Sequence, residues 1–162
     1  MNDAHLHLVV NHLPIVSLLI GFLVLLSGFF FKKPEIKLTA LGIFVFSALS
    51  GILAFYTGEG AEEVVENLPN ISETLIHNHE EAAELFYVFV LILGSISLIT
   101  LVLEIKKSKF ALFGYLIIFV MTLVSMFFAK NTGTTGGEIS HPEIRSTSLS
   151  QPIEIEDSND DD

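Results

Sequence analysis

Apolar residues fill four long runs along the chain, and these runs predict the architecture. Each run has 19 or 20 residues and no charged side chain, and together they cover residues 13–31, 38–56, 85–103 and 110–129. A helix needs about 20 apolar residues to cross the hydrocarbon core of a bilayer. Because the runs are continuous rather than alternating, they indicate helices and not barrel strands. We therefore predict an all-α membrane protein, a bundle of four transmembrane helices.

Polar residues between the second and third runs predict where these two helices end and begin. The pair Thr57-Gly58 predicts the end of the second helix, and residues 61–66 predict a separate short surface helix. Asn70 is followed three residues later by Glu73, which is a capping-box pattern. The third helix is therefore predicted to begin at residue 71, run through 103 and extend several turns beyond the bilayer.

The two ends of the chain contain further boundary signals. Pro14 fits the first position of a helix, which places His12 at the mouth of the first span. The fourth helix is predicted to end near Lys130, with a turn-rich exit over residues 132–137. We predict one membrane domain over residues 1–145 and an acidic, disordered tail over residues 146–162.

Lysines predict the orientation of the bundle. Six of the eight Lys and Arg residues lie in the two short loops between paired runs: Lys32, Lys33, Lys37, Lys106, Lys107 and Lys109. Basic loops stay on the cytoplasmic side, so a multi-pass protein of the cytoplasmic (inner) membrane is predicted, with both termini and the 57–84 loop outside. These external segments hold 17 of the 19 acidic residues. No basic residue precedes the first run, so this run is not expected to be a cleaved signal.

Composition excludes several classes of function. The net charge of -11 disfavours nucleic acid as a partner, and the absence of cysteine excludes disulfides, thiolate metal sites and covalently attached haem. No His, Asp, Glu, Lys or Arg lies in any apolar run, which disfavours ion conduction, proton pumping and a pair of haems stacked across the bilayer. Small residues at four-residue spacing, Ser17 with Gly21 and Ser47 with Gly51, predict close helix packing.

All six histidines lie in the external segments, and together they predict a ligand site. On a helix, His79 shares the apolar face that contains Ala82 and is predicted to point into the bundle. We predict that His12 and His79 face each other as cofactor ligands. His7 and His141 are weaker candidates that would complete a metal site with His12 and His79. The remaining two are expected on the surface, namely His5 and His77.

Two kinds of cofactor fit such a site. Two neutral imidazoles from facing helices suit haem b, whereas three or four suit copper or zinc. Haem is favoured by nearby aromatic residues and by two external cations that would meet its propionates; these residues are Phe86, Phe127, Phe128, Lys130 and Arg145. Copper or zinc is favoured by the number of histidines and by neighbouring carboxylates such as Glu80. We expect haem b, with copper or zinc as the alternative.

Three histidine-containing segments resemble a known family. They are HLVVNHLPI (His7 to Ile15), IHNHEEAAE (Ile76 to Glu84) and GTTGGEISH (Gly133 to His141). They resemble the membrane proteins called domain of unknown function 2231, over roughly the first 145 residues. The resemblance implies a four-helix membrane protein that binds haem or another metal.

Two functions stay open at this point. The first is electron transfer by a membrane-anchored haem b or metal protein, with membrane or extracytoplasmic redox proteins as partners besides lipid. The second is a non-catalytic subunit of a larger, respiratory-type membrane complex, whose acidic loop and tail dock a basic partner. An enzyme has least support, because no Ser/His/Asp pattern, phosphate-binding loop or dinucleotide fingerprint occurs.

Overall fold

Four long helices build the protein. The computed structural model describes residues 3–66 and 71–145, and within these ranges it contains helices and no strand. The helices are α1 (Asp3–Val10), α2 (Leu13–Phe30), α3 (Pro34–Val65), α4 (Glu73–Ile105) and α5 (Ala111–Ser140), followed by a 3-10 turn at Pro142–Ile144. Four of the helical segments are long and apolar enough to cross a membrane, α1 and α2 together forming one of them. The predicted fold class, an all-α four-helix membrane bundle, is confirmed.

The helices pack in chain order. α2 packs on α3, α3 on α4 and α4 on α5, while α2 and α5 contact each other more sparsely. The buried core is mainly aliphatic and includes three aromatic rings, those of Phe44, Phe86 and Tyr115. A Cβ added to Gly21 would lie 2.8 Å from the ring of Phe44, and one added to Gly51 would lie 3.0 Å from Val90. Close packing at these small residues is therefore confirmed. Large apolar side chains cover the outer surface and provide the contact with lipid.

α4 is the extended helix that the sequence predicts. It has 33 residues, or about 50 Å at 1.5 Å per residue, against about 30 Å for the hydrocarbon core. It begins at Glu73 and not at residue 71, because Ser72 is the N-cap and its hydroxyl oxygen accepts a hydrogen bond from the Leu75 amide (3.4 Å). Asn70, the predicted cap, lies outside the described residues.

The predicted ends of the second and fourth helices are wrong. α3 continues through Thr57-Gly58 to Val65, so the short surface helix is part of α3, and α5 continues through residues 132–137 to Ser140. Thr132 donates from its hydroxyl to the Ala82 carbonyl of α4 across 2.8 Å. A glycine in a helix costs about 1 kcal/mol relative to alanine, and contacts with neighbouring helices offset this cost. The predicted start of α2 is confirmed, with His12 as N-cap and Pro14 in the first turn.

Two short loops, which join α2 to α3 and α4 to α5, lie at one end of the bundle, here called the lysine end. Each loop turns at a lysine with positive φ, Lys32 (φ 53°) and Lys107 (φ 52°). In each, the next residue donates its amide to a carbonyl five residues back: Lys33 to Gly28 (3.0 Å) and Ser108 to Leu103 (2.9 Å). This is the Schellman pattern that ends many helices. α2 and α4 therefore end in the same way.

Candidate functional site

All six histidines lie at one end of the bundle, here called the histidine end. It comprises α1, the start of α2, the last turns of α3, the first turns of α4 and the last turns of α5. The six histidines lie outside the four apolar runs, which form the membrane-crossing part of the bundle. Two of the six histidines, His7 and His79, are partly buried against a neighbouring helix and make long-range hydrogen bonds.

His7 of α1 is held by the last turns of α3. Its Nδ1 lies 3.0 Å from the Ala54 carbonyl oxygen and 3.2 Å from Thr57 Oγ1. A carbonyl only accepts, so Nδ1 carries the proton and donates. The Thr57 hydroxyl donates to the Leu53 carbonyl at 2.8 Å, which leaves its oxygen free to accept from His7 as well. The Nε2 of His7 is therefore the unprotonated nitrogen, with a lone pair available to a ligand.

His79 of α4 is held by α5 in the same way. Its Nδ1 lies 3.1 Å from Thr135 Oγ1, and the Thr135 hydroxyl donates to its own helix at the Asn131 carbonyl (3.1 Å). With its proton on Asn131, the Thr135 oxygen can accept from Nδ1, and in that tautomer Nε2 of His79 has a free lone pair. Gly136 lies against the ring, where an added Cβ would be 2.9 Å from Cε1. Only glycine leaves room for this imidazole in its present position.

Burial keeps both imidazoles neutral. Desolvation lowers the pKa of His7 below its ordinary value of 6.5; a backbone hydrogen bond with Ala54 partly opposes this, and repulsion from His12 adds to it. Desolvation also lowers the pKa of His79 from 6.5, with further lowering by repulsion from His7 and partial opposition from a backbone hydrogen bond with Thr132. Desolvation therefore favours the neutral form of both imidazoles, which is the form that binds metal ions.

The other predicted ligands are placed differently. His12 is exposed, its Nδ1 beside Asn11 Oδ1, and His141 is exposed with Nδ1 2.9 Å from Glu143 Oε1. The partner that acts electrostatically on His79 is His7 and not His12. Within residues 3–66 and 71–145, no three His, Asp or Glu side chains are grouped so that they could share a metal ion. His7 thus acts electrostatically on His79, His12 acts on His7, and the four predicted ligands are not gathered into one cluster within the described residues.

The aromatic and cationic residues that the sequence places near a haem lie in different surroundings. Phe86 is buried in the core, Phe128 stacks on Phe89 with ring centroids 4.6 Å apart, and Phe127 is 70% exposed. Arg145 donates from Nε to the Glu138 carbonyl (2.7 Å) and from one terminal nitrogen to the Ile139 carbonyl (3.1 Å). Arg145 thus satisfies carbonyls at the end of α5. Lys130 is exposed.

An acidic surface lies on α3 and α4 at the histidine end. His77 pairs with Glu80 (3.9 Å) and Glu81 (3.3 Å), and all three side chains are exposed. Partial burial raises the pKa of Glu62 on α3, and repulsion from Glu80 and other carboxylates raises it further. Negative charge from α3 and α4 therefore accumulates on one surface, here called the acidic surface.

Thr57, Thr135 and Gly136 are the residues of this site that the sequence analysis missed. Both threonines precede a glycine, and the pairs Thr57-Gly58 and Thr135-Gly136 were interpreted as helix ends or turns. The sequence contains one signal for these residues, which is that the same arrangement occurs twice. In each half of the chain a histidine precedes the first apolar run and a Thr-Gly pair follows the second apolar run.

Comparison of the chain with protein-family models, with curated proteins and with solved structures found no match. The resemblance to domain of unknown function 2231 therefore stays a prediction.

Proposed function

We propose that the protein is a membrane-anchored haem b-binding protein that transfers electrons, with His7 and His79 as the two ligands. The observation that supports this most directly is the matched pair of imidazoles: both are partly buried, both have a lowered pKa, and both have Nδ1 within 3.2 Å of a threonine hydroxyl, which leaves Nε2 for a ligand when Nδ1 carries the proton. Orientation of a ligand histidine through its other nitrogen is typical of metal sites. A haem b with two histidine ligands supplies one-electron transfer when bound.

The number of donors favours haem over copper or zinc. A porphyrin provides four nitrogens itself, so the protein needs to add only two. A structural zinc needs four protein ligands and a catalytic zinc three. Among the described residues no three His, Asp or Glu side chains are grouped for this purpose. A copper or zinc site would require His12 and His141 to move toward His7 and His79.

The acidic surface supports the second candidate function, a non-catalytic docking subunit of a larger membrane complex. Repulsion from neighbouring carboxylates on Glu62 reflects a local excess of negative charge. Such a surface attracts basic extracytoplasmic proteins, mainly by raising their association rate. The two functions are compatible, since a haem protein also needs a redox partner.

Absorption spectroscopy tests the haem proposal. The protein is purified in detergent from cells supplied with iron and a haem precursor, and spectra are recorded oxidised and reduced, with copper and zinc measured on the same sample. We expect a Soret band that is lost in His7→Ala and His79→Ala and retained in the matched control His12→Ala. A folded protein with no haem, copper or zinc would contradict both cofactor proposals. Loss of the band in His12→Ala, with the band retained in His7→Ala, would favour the His12 and His79 pair instead.

The proposed orientation places the histidine end outside the cytoplasmic membrane and the lysine end inside. The chain has no cysteine, so a single one introduced at Lys107 reports only on the lysine end. We expect it to resist impermeant thiol reagents in intact cells and to react after permeabilisation. Reaction in intact cells would show that the lysine end lies outside the membrane, opposite to the proposed orientation.

A further inference from the structure

A groove lies between α2 and α5, which contact each other more sparsely than the long helices that are adjacent in the chain. It has a volume of about 360 Å³ and lies in the half of the bundle nearest the histidine end. Its walls are almost entirely apolar, with Ile15 and Leu19 on α2 and Met126 on α5. Empty space beside apolar side chains forfeits dispersion contacts, so this groove is more stable when a hydrocarbon group fills it.

One cation lies at the upper edge of this groove. Lys130 directly follows the apolar run 110–129, which places its ammonium at the level of the membrane surface. Above it, a Cβ added to Gly133 would meet no atom within 4 Å, so the groove opens toward the headgroup region. Arg145, the other cation at the histidine end among the described residues, donates to carbonyls of α5. Lys130 is thus the cation placed to meet a ligand in the groove.

We propose that this groove binds one anionic phospholipid, with an acyl chain between α2 and α5 and the phosphate at Lys130. An apolar slot below a single cation at the membrane surface matches a molecule with a hydrocarbon chain below a negative headgroup. No histidine lines the groove, so it is separate from the pair formed by His7 and His79. The proposal is independent of the haem proposal.

Native mass spectrometry of the detergent-purified protein tests this inference. The protein is titrated with phosphatidylglycerol and, separately, with phosphatidylcholine that has the same acyl chains. We expect the first lipid to bind at least about fivefold more tightly than the second, a ratio that corresponds to about 1 kcal/mol. In Lys130→Gln the ratio should fall to about one, and in Lys130→Arg it should be retained.

Two further variants separate the groove from general adhesion of lipid. Gly133→Leu adds a side chain where there is space, and should weaken binding of both lipids. Phe127→Leu is the matched control, because Phe127 lies on α5 near Lys130 but does not line the groove, and it should change neither affinity. Helix content and elution volume confirm that each variant is folded. Equal affinity for both lipids in the original protein, or an unchanged preference in folded Lys130→Gln, would overturn the proposal.

Discussion

The described residues form two helical hairpins. Both have a histidine beside a threonine of the partner helix, but they differ in how tightly that histidine is enclosed. In the first hairpin (α1, α2 and α3) a histidine is held by Thr57, and in the second (α4 and α5) by Thr135. A glycine follows each threonine, and each hairpin turns at a lysine with positive φ. The position of each imidazole is therefore set by the partner helix and not by the helix that carries it.

The difference between the hairpins lies in how tightly each histidine is enclosed. His79 lies so close to Gly136 that a Cβ there would be 2.9 Å from its Cε1, whereas a Cβ on Gly58 would be 3.6 Å from Cε1 of His7. Each histidine has a backbone carbonyl beside its threonine, Ala54 for His7 and Thr132 for His79, so enclosure by the glycine is what distinguishes the two. His79 is thus the more tightly enclosed of the two histidines. The same substitution at equivalent positions of the two hairpins should therefore change the unfolding free energy by different amounts.

Alanine substitution of Gly136 and of Gly58 should give the largest difference in unfolding free energy between the two hairpins. Gly136→Ala forces the ring of His79 to move and weakens its hydrogen bond with Thr135, so we expect a loss of about 1–3 kcal/mol in unfolding free energy. Gly58→Ala makes ordinary van der Waals contact with His7 and removes a helical glycine, so it should stabilise by up to about 1 kcal/mol. Denaturant unfolding in detergent measures both. Equal effects at the two positions would show that the hairpins do not differ in this respect.

Valine substitution of Thr135 and of Thr57 should give a smaller difference in unfolding free energy, again with the larger loss in the second hairpin. Thr135→Val removes the hydroxyl 3.1 Å from His79 Nδ1 and leaves the Thr132 backbone as a partner in a tightly enclosed position, so we expect a loss of about 1 kcal/mol. Thr57→Val leaves the Ala54 carbonyl as an acceptor for His7, so the loss should be about 0.5 kcal/mol or less. Denaturant unfolding of both variants is again the measurement, and the reverse order would make His7 the more tightly enclosed histidine.

Lowering the pH should weaken the bundle through the same two histidines. Their pKa values in the folded protein lie below 6.5, so the unfolded chain binds more protons once the pH falls below that value. Their contribution to stability is therefore complete above pH 6.5 and is lost as the pH falls toward the folded pKa values. We expect the thermal midpoint to fall over this window, and to fall less in a folded double variant with glutamine at both positions. An equal fall in that variant would assign the effect to other groups.

Glycine at the two loop lysines should give the smallest effect, and an equal one in both hairpins. Lys32 and Lys107 adopt positive φ, which costs a residue with a Cβ about 1 kcal/mol and glycine almost nothing. We expect Lys32→Gly and Lys107→Gly each to raise the unfolding free energy by about 0.5–1 kcal/mol, measured by the same unfolding experiment. Destabilisation by either variant would mean that its lysine side chain makes a contact worth more than the backbone strain.

The sequence by itself determined the four membrane-crossing segments, the all-α class and the start of α2. These features depend on composition and local chemistry: an uncharged run of about 20 residues is stable in lipid only as a helix, and Pro14 is compatible with the first turn and not with the interior. The inward direction of His79 follows from its apolar neighbours on the same helix face. Close packing at the spaced small residues was likewise predictable.

Only the tertiary structure decided where α3 and α5 end and which histidine near the first span is partly buried against a neighbouring helix. Thr57-Gly58 and the glycine-rich segment 132–137 have low intrinsic helix propensity, and contacts with α1 and α4 keep them helical. His12 and His7 are both external residues near the first span, and local pattern does not distinguish them. They differ in what lies opposite: His7 faces a carbonyl and a hydroxyl of α3, whereas His12 faces solvent. Such a choice depends on residues distant in the chain, and so it is made only when the helices pack.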